Sequence, residues 1–155
     1  MNPEKEYISK EKNVELQAEL LDLKGPKRKE VLDALEFSKS LGDLSENAEY
    51  HQARESQRNL EERISKVEHI LKNAEIIKQH HSEIVEMGST VVAQKDGVKE
   101  HKSFVIVGSE EADMAHGKIS NKSPLGTALL GKKKGETASF QSPGGIVKYK
   151  IIEIE

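Results

Sequence analysis

The sequence predicts an α+β chain in two domains: an antiparallel coiled-coil hairpin over residues 1–80, then a small antiparallel-sheet domain over residues 81–155. Three observations carry this. Of eleven glycines, only Gly25 and Gly42 precede Gly88, so turns are concentrated in the second half. Ala53, Gln57, Leu60, Ile64, Val67, Leu71 and Ala74 recur at alternating spacings of four and three, the seam of a heptad helix. Beyond Gly88 the apolar runs are short and β-branched, at residues 90–93 and 104–107, which is a strand pattern.

The first helix begins its own stripe at Leu16, Leu20 and Leu23. In the same phase the seam would fall on Lys27 and Glu30. Apolar residues instead resume one position later, at Val31, Ala34 and Leu41. The slip coincides with Gly25-Pro26, so the sequence predicts a break or kink there and a new helical segment from about Lys27. Residues 41–47 are too short a connection for anything but antiparallel neighbours. In the second half, Val147, Tyr149 and Ile151 alternate with lysines before Ile152 and Ile154 switch phase, which predicts a bulge. Residues 124–130 suit a short helix ahead of Gly131.

Composition agrees. Charged residues are 33% of the 155, apolar residues 35%, aromatics 4%, and tryptophan is absent. One compact core of this length normally uses more apolar mass, whereas a hairpin with solvated outer faces does not need it. No apolar run is long enough to span a membrane, and residues 1–5 are not followed by one that resembles a secretory signal. The absence of cysteine excludes disulfides, thiolate metal sites and thiol nucleophiles, and suits a cytoplasmic location. A net charge of −3 disfavours stand-alone nucleic-acid binding through phosphate neutralisation, and no independent sequence-specific DNA binding is expected. Each helix already has a partner within the chain, so a monomer is expected over a self-associating coiled coil.

The run Gly42-Asp43-Leu44-Ser45-Glu46-Asn47-Ala48-Glu49-Tyr50 falls where the helices meet. It has a structural reading: Gly42 ends the first helix in a left-handed conformation, Asp43 or Ser45 caps the second, and Asp43 with Glu46 has the spacing of a capping box. It also has a chemical one, since two carboxylates three residues apart at an exposed turn can converge on a hard divalent cation. Two carboxylates are too few ligands, and a rod tip has no cavity to exclude water, so a second protein would have to complete the site.

The same run, followed by Ala53-Arg54-Glu55, resembles the tip signature of bacterial transcript cleavage factors of the GreA/GreB family. The resemblance continues through Ile119-Ser120, Ser123-Pro124-Leu125, Gly131-Lys132 and Pro143-Gly144-Gly145, covering nearly the whole chain. It implies an N-terminal coiled-coil hairpin and an FKBP-like C-terminal domain. The C-terminal domain would dock on bacterial RNA polymerase while the hairpin enters the secondary channel. Asp43 and Glu46 would then help hold a second Mg²⁺ and its attacking water, shared with the polymerase, so that the displaced nascent RNA 3′ end is cleaved. The chain would be an accessory factor without nuclease activity of its own. The resemblance also implies RNA-proximal roles for Lys39 and Arg54, and a polymerase-docking role for Ser123, Pro124 and Leu125.

Each of these residues has a second reading. Tyr50 either packs against the tip or positions RNA, or it extends the seam backwards. Lys39, Arg54 and Arg58 either form a basic patch for RNA phosphates or are solvated charges that pair with Glu55 or Glu61. Ser123-Pro124-Leu125 is a docking loop or simply a helix start with proline in its first turn. The pair His80-His81 lacks metal-ligand spacing and suits the end of the second helix. Residues 131–135, Gly-Lys-Lys-Lys-Gly, lack the P-loop pattern. Compared with the family, Lys12-Asn13 replaces a common glycine and Ser38 a small apolar residue. A channel-binding protein that inhibits without promoting cleavage is the alternative function, and the intact Asp43/Glu46 pair argues against it.

Overall fold

The computed structural model describes residues 5–78 and 82–155. They form two compact units, one made of residues 13–73 and the other of residues 5–12 together with the described residues from 74 onward. The expected boundary at residue 80 and the His80-His81 pair lie outside the described residues.

The helical unit contains most of α1 (Lys10–Asp22), a π-helical turn (Leu23–Lys27), α2 (Arg28–Ser40) and α3 (Ala48–Asn73). The break or kink expected at Gly25-Pro26 is a π-helical turn that leaves the helix unbroken, and the new segment α2 starts at Arg28, next to the expected Lys27. Asp22, Lys27 and Arg28 all keep right-handed helical dihedrals, and the Arg28 N–H donates to the Leu23 carbonyl five residues back. One extra residue per turn is what a π-bulge inserts, so it absorbs the one-position slip in the apolar stripe. Pro26 has no N–H to donate and its ring crowds the carbonyl four residues back; the wider turn accommodates both.

After the bulge the phase is Val31, Leu35 and Ser38: Leu35 and Ser38 are buried and Val31 half-buried, whereas the expected Ala34 and Leu41 are exposed. Ser38 occupies the seam at 1% exposure, and its hydroxyl donates to the Leu35 carbonyl at 2.8 Å, which removes the cost of burying it. Opposite, Ala53, Leu60, Ile64, Val67 and Ile70 are buried on α3. The seam therefore passes through Ile70 rather than the expected Leu71, which is half-buried, and the expected last position, Ala74, lies just beyond the end of α3. Each large aliphatic side chain buried here contributes about 1.5–3 kcal/mol. Ion pairs bridge the antiparallel arms: Arg63 with Glu19 through bonds of 2.7 and 2.8 Å, Arg28 with Glu61 at 2.9 and 2.6 Å, and Lys24 with Glu68 at 2.6 Å.

The larger sheet of the second unit has five strands, β3 (Thr90–Lys95), β4 (His101–Val107), β5 (Lys118–Ser120), β6 (Thr137–Ser142) and β7 (Gly145–Ile154), in the order β5-β4-β3-β7-β6. It is not purely antiparallel as expected, because β4 and β5 run parallel. The bulge falls where the phase switch put it: Val92 faces Glu153 but Ala93 faces Ile151, leaving Ile152 as the extra residue. One face carries the core, including Val91, Ala93, Phe104, Ile106, Ala138 and Ile151. The short helix α4 (Pro124–Leu129) adds Leu125 and Leu129 to it. A two-residue strand, β1 (Tyr7–Ile8), pairs in parallel with β2 (Glu75–Ile76) and brings Tyr7 into the same core.

Candidate functional site at the hairpin tip

The turn between α2 and α3 is built by two backbone and two side-chain devices. Leu41 closes α2 by donating its N–H to the Ser38 carbonyl at 3.3 Å. Gly42 follows at φ +127°, with no atom near the position a Cβ would take. It is glycine for its backbone, as expected, and not for space. Asp43 then folds its carboxylate onto the chain: Oδ1 accepts the Ser45 N–H at 3.0 Å and the Ser45 hydroxyl at 2.9 Å, an Asx-turn. Finally, Asn47 accepts the Tyr50 N–H on Oδ1 at 3.0 Å and donates Nδ2 to the Ser38 carbonyl at 2.7 Å.

Asn47 is thus the residue that caps α3, and neither Asp43 nor Ser45 does so. The capping box expected between Asp43 and Glu46 is not formed. Asn47 directly precedes the periodic run, the position where an N-cap belongs, so that signal was present in the sequence. The same side chain ties the first turn of α3 to the last turn of α2. His51 adds a further clasp, its Nε2 lying 3.3 Å from the Ser45 carbonyl.

These bonds consume one oxygen of Asp43 and none of Glu46. Both residues are exposed, and Glu46 makes no hydrogen bond or ion pair among the described residues. The two donors from Ser45, the backbone N–H first and the hydroxyl second, hold the Asp43 carboxyl below its ordinary 3.8, since both favour the charged form. Free carboxylate oxygens on an exposed turn fit a hard cation that keeps several other ligands. Among the described residues no group of three or more His, Asp or Glu side chains gathers into a metal site, so Asp43 and Glu46 do not make one by themselves.

The neighbouring residues divide. Lys39 is exposed in the last turn of α2, with no partner among the described residues. Arg54 is exposed and donates Nη1 to Gln57 at 2.9 Å. Arg58 reaches Glu55 and Glu62 only at 3.9 and 3.8 Å. Arg54 and Arg58 line a shallow groove of about 560 Å³ on α3, while Lys39 stands on the other helix. Tyr50 is half-buried, with its ring edge-on to His51 at 5.8 Å, one turn before the buried seam begins at Ala53. In the sheet unit, Ser123 caps α4 by accepting the Gly126 N–H at 3.0 Å and donating to the Ser120 carbonyl at 2.7 Å. Leu125 is buried in the core at 5% exposure, so Pro124 is the exposed member of that trio.

Comparison with known proteins matches both units. Residues 6–76 fit the family model described as "Transcription elongation factor, N-terminal", and residues 79–155 fit "Transcription elongation factor, GreA/GreB, C-term". The chain is 43% identical to transcription elongation factor GreA of Clostridium acetobutylicum, and 41% identical to that of Bacillus cereus, over the full length of each. The crystal structure of the GreA factor homolog 1 protein of Thermus thermophilus aligns over 97% of this chain and 99% of its own, at 25% identity and a TM-score of 0.45. With both family models matched in order and relatives above 40% identity from end to end, the chain belongs to the GreA/GreB family of transcription elongation factors.

Proposed function

We propose that this chain stimulates RNA polymerase to cleave backtracked RNA, with the hairpin tip entering the secondary channel and presenting Asp43 and Glu46 beside the polymerase's own catalytic residues. The observation that carries the reading is the state of the two acids. The tip turn is tied down by Asn47, Ser45 and His51, yet Glu46 and one oxygen of Asp43 are left without a partner among the described residues. A turn whose acids served only to cap the helix would use them for that, and here Asn47 does it.

A Mg²⁺ held partly by these carboxylates would lower the pKa of a bound water and neutralise charge at the phosphate. This chain's contribution is positional. The two donors of Ser45 favour the ionised form of Asp43, and Glu46 is free to turn toward a ligand. Asn47 fixes both relative to the helix ends, so little ordering remains when the site assembles. Lys39 and Arg54 stand on the two helices that flank the turn, where they can neutralise phosphates of the displaced RNA. Pro124 is the exposed element of the loop that would dock on the polymerase.

The test is a stalled, backtracked elongation complex supplied with the full chain. Wild type should release a short 3′ RNA fragment. Asp43→Ala and Glu46→Ala should each bind the complex as well as wild type. Each should slow release at least as much as the roughly 10–100-fold that loss of an outer-shell partner costs a metal site. Release that survives both substitutions would remove the acids from the chemistry. Inhibited elongation with no fragment from wild type would make the chain a competitor of cleavage instead.

A further inference from the structure

The sheet unit carries a second polar site, unrelated to the tip. The face of β6, β7 and β3 turned away from the core forms an open groove of about 710 Å³. Lys148 and Lys150 rise from its floor, two residues apart on β7, and cross-strand pairing sets Ser139 beside Lys148 and Thr137 beside Lys150. Lys95 and Lys99 stand at the wall, at either end of the hairpin turn between β3 and β4. That turn is held in shape: Val98 donates its N–H to the Lys95 carbonyl at 3.0 Å, and the Gln94 amide donates to the Val98 carbonyl at 2.9 Å.

None of these four lysines has an ion-pair partner among the described residues, and Asp96 is the one acid in the lining. Lysine often protects sheet edges, but β7 is an interior strand, so edge protection does not account for Lys148 and Lys150. Like charges two apart on one face of a strand repel, and a ligand that bears negative charge would relieve this. We propose that this groove binds the phosphate backbone of a nucleic acid without reading its bases.

The chemistry selects that partner over an acidic protein surface. Strand geometry spaces Lys148 and Lys150 by about 6.6 Å, and each has a neutral hydroxyl donor beside it, a combination suited to successive phosphates. A protein partner would need an apolar or aromatic anchor, and Val98 is the one apolar residue in the lining. Base stacking needs exposed rings, whereas Phe104, Phe140 and Tyr149 pack on one another at the core side. The contact is therefore electrostatic, local and salt-sensitive, carried by four lysines of one groove against an overall net charge of −3.

The experiment is fluorescence anisotropy of labelled oligo(U) RNA, and separately of a labelled DNA duplex, titrated with the full chain at low salt. Lys148→Glu/Lys150→Glu is compared with the charge-matched control Lys29→Glu/Lys72→Glu in the helical unit. Binding of either probe should weaken at least about tenfold in the groove variant, and its log–log salt slope should fall by about two, while the control stays near wild type. Whichever probe binds identifies the source of the backbone. Absence of binding to both probes, an equal loss in the control, or tighter binding of poly-glutamate than of either oligonucleotide would overturn the proposal. Circular dichroism of each variant establishes that it is folded.

Discussion

Asp43 and Asn47 divide the work of the tip between them. Asp43 accepts both donors of Ser45 on one oxygen, and this lowers its pKa. Because the folded value is depressed, whatever stability the turn draws from the charged form is present above pH 3.8 and is lost as pH falls through the folded value. In an NMR titration the Asp43 carboxyl should have its midpoint below 3.8, and Ser45→Ala should raise it without restoring the ordinary value, because the larger cause, the backbone N–H, remains. Asn47→Ala removes a helix cap and the bond to Ser38 together. It should cost about 1–2 kcal/mol in thermal unfolding and reduce RNA release without touching either acid. At this scale the sequence displayed which residues gather at the turn but not their duties. Asp43, Ser45 and Asn47 are all good caps, and only the path of the chain decides which of them reaches the open N–H groups of α3.

The π-turn shows how much an element reveals about itself. The one-residue slip between Leu23 and Val31 was visible as a phase error in the apolar stripe, and Gly25-Pro26 marked its place. What remained hidden was that a helix can absorb one extra residue without breaking. If the bulge exists only to keep the seam in phase, deleting Gly25 and replacing Pro26 with Ala should leave Leu35 and Ser38 on the seam of a regular α-helix. The variant also loses two poor helix formers, so it should unfold at a higher temperature; a lower one would show that the bulge is needed for packing. Other seam details were not legible. Ile70 and Leu71 are both apolar neighbours, and propensity cannot choose between them. Ser38 stands where the resemblance implies a small apolar residue, and only the bond to the Leu35 carbonyl shows how its hydroxyl is satisfied there.

At the scale of the whole molecule, the sequence separated helices from sheet correctly but could not assign the first residues. β1 is two residues long and pairs with β2 nearly seventy positions away, too short a pattern and too distant a partner to be read. Its packing is close: a Cβ on Gly108 would lie 1.6 Å from the Tyr7 carbonyl oxygen. Gly108→Ala should therefore displace β1 and destabilise the sheet unit by roughly 1–3 kcal/mol, seen as lost amide-exchange protection at Tyr7 and Ile8. The helical unit ends in two available carboxylates, too few to hold a metal alone, and on that the proposed cooperation with a polymerase rests. The most direct test is the Mg²⁺ dependence of RNA release from a backtracked complex, wild type against Glu46→Gln. If Glu46 helps hold the ion, the variant should need a higher Mg²⁺ concentration and recover part of its rate when given it, with binding of the factor unchanged. An unaltered Mg²⁺ midpoint would contradict the account.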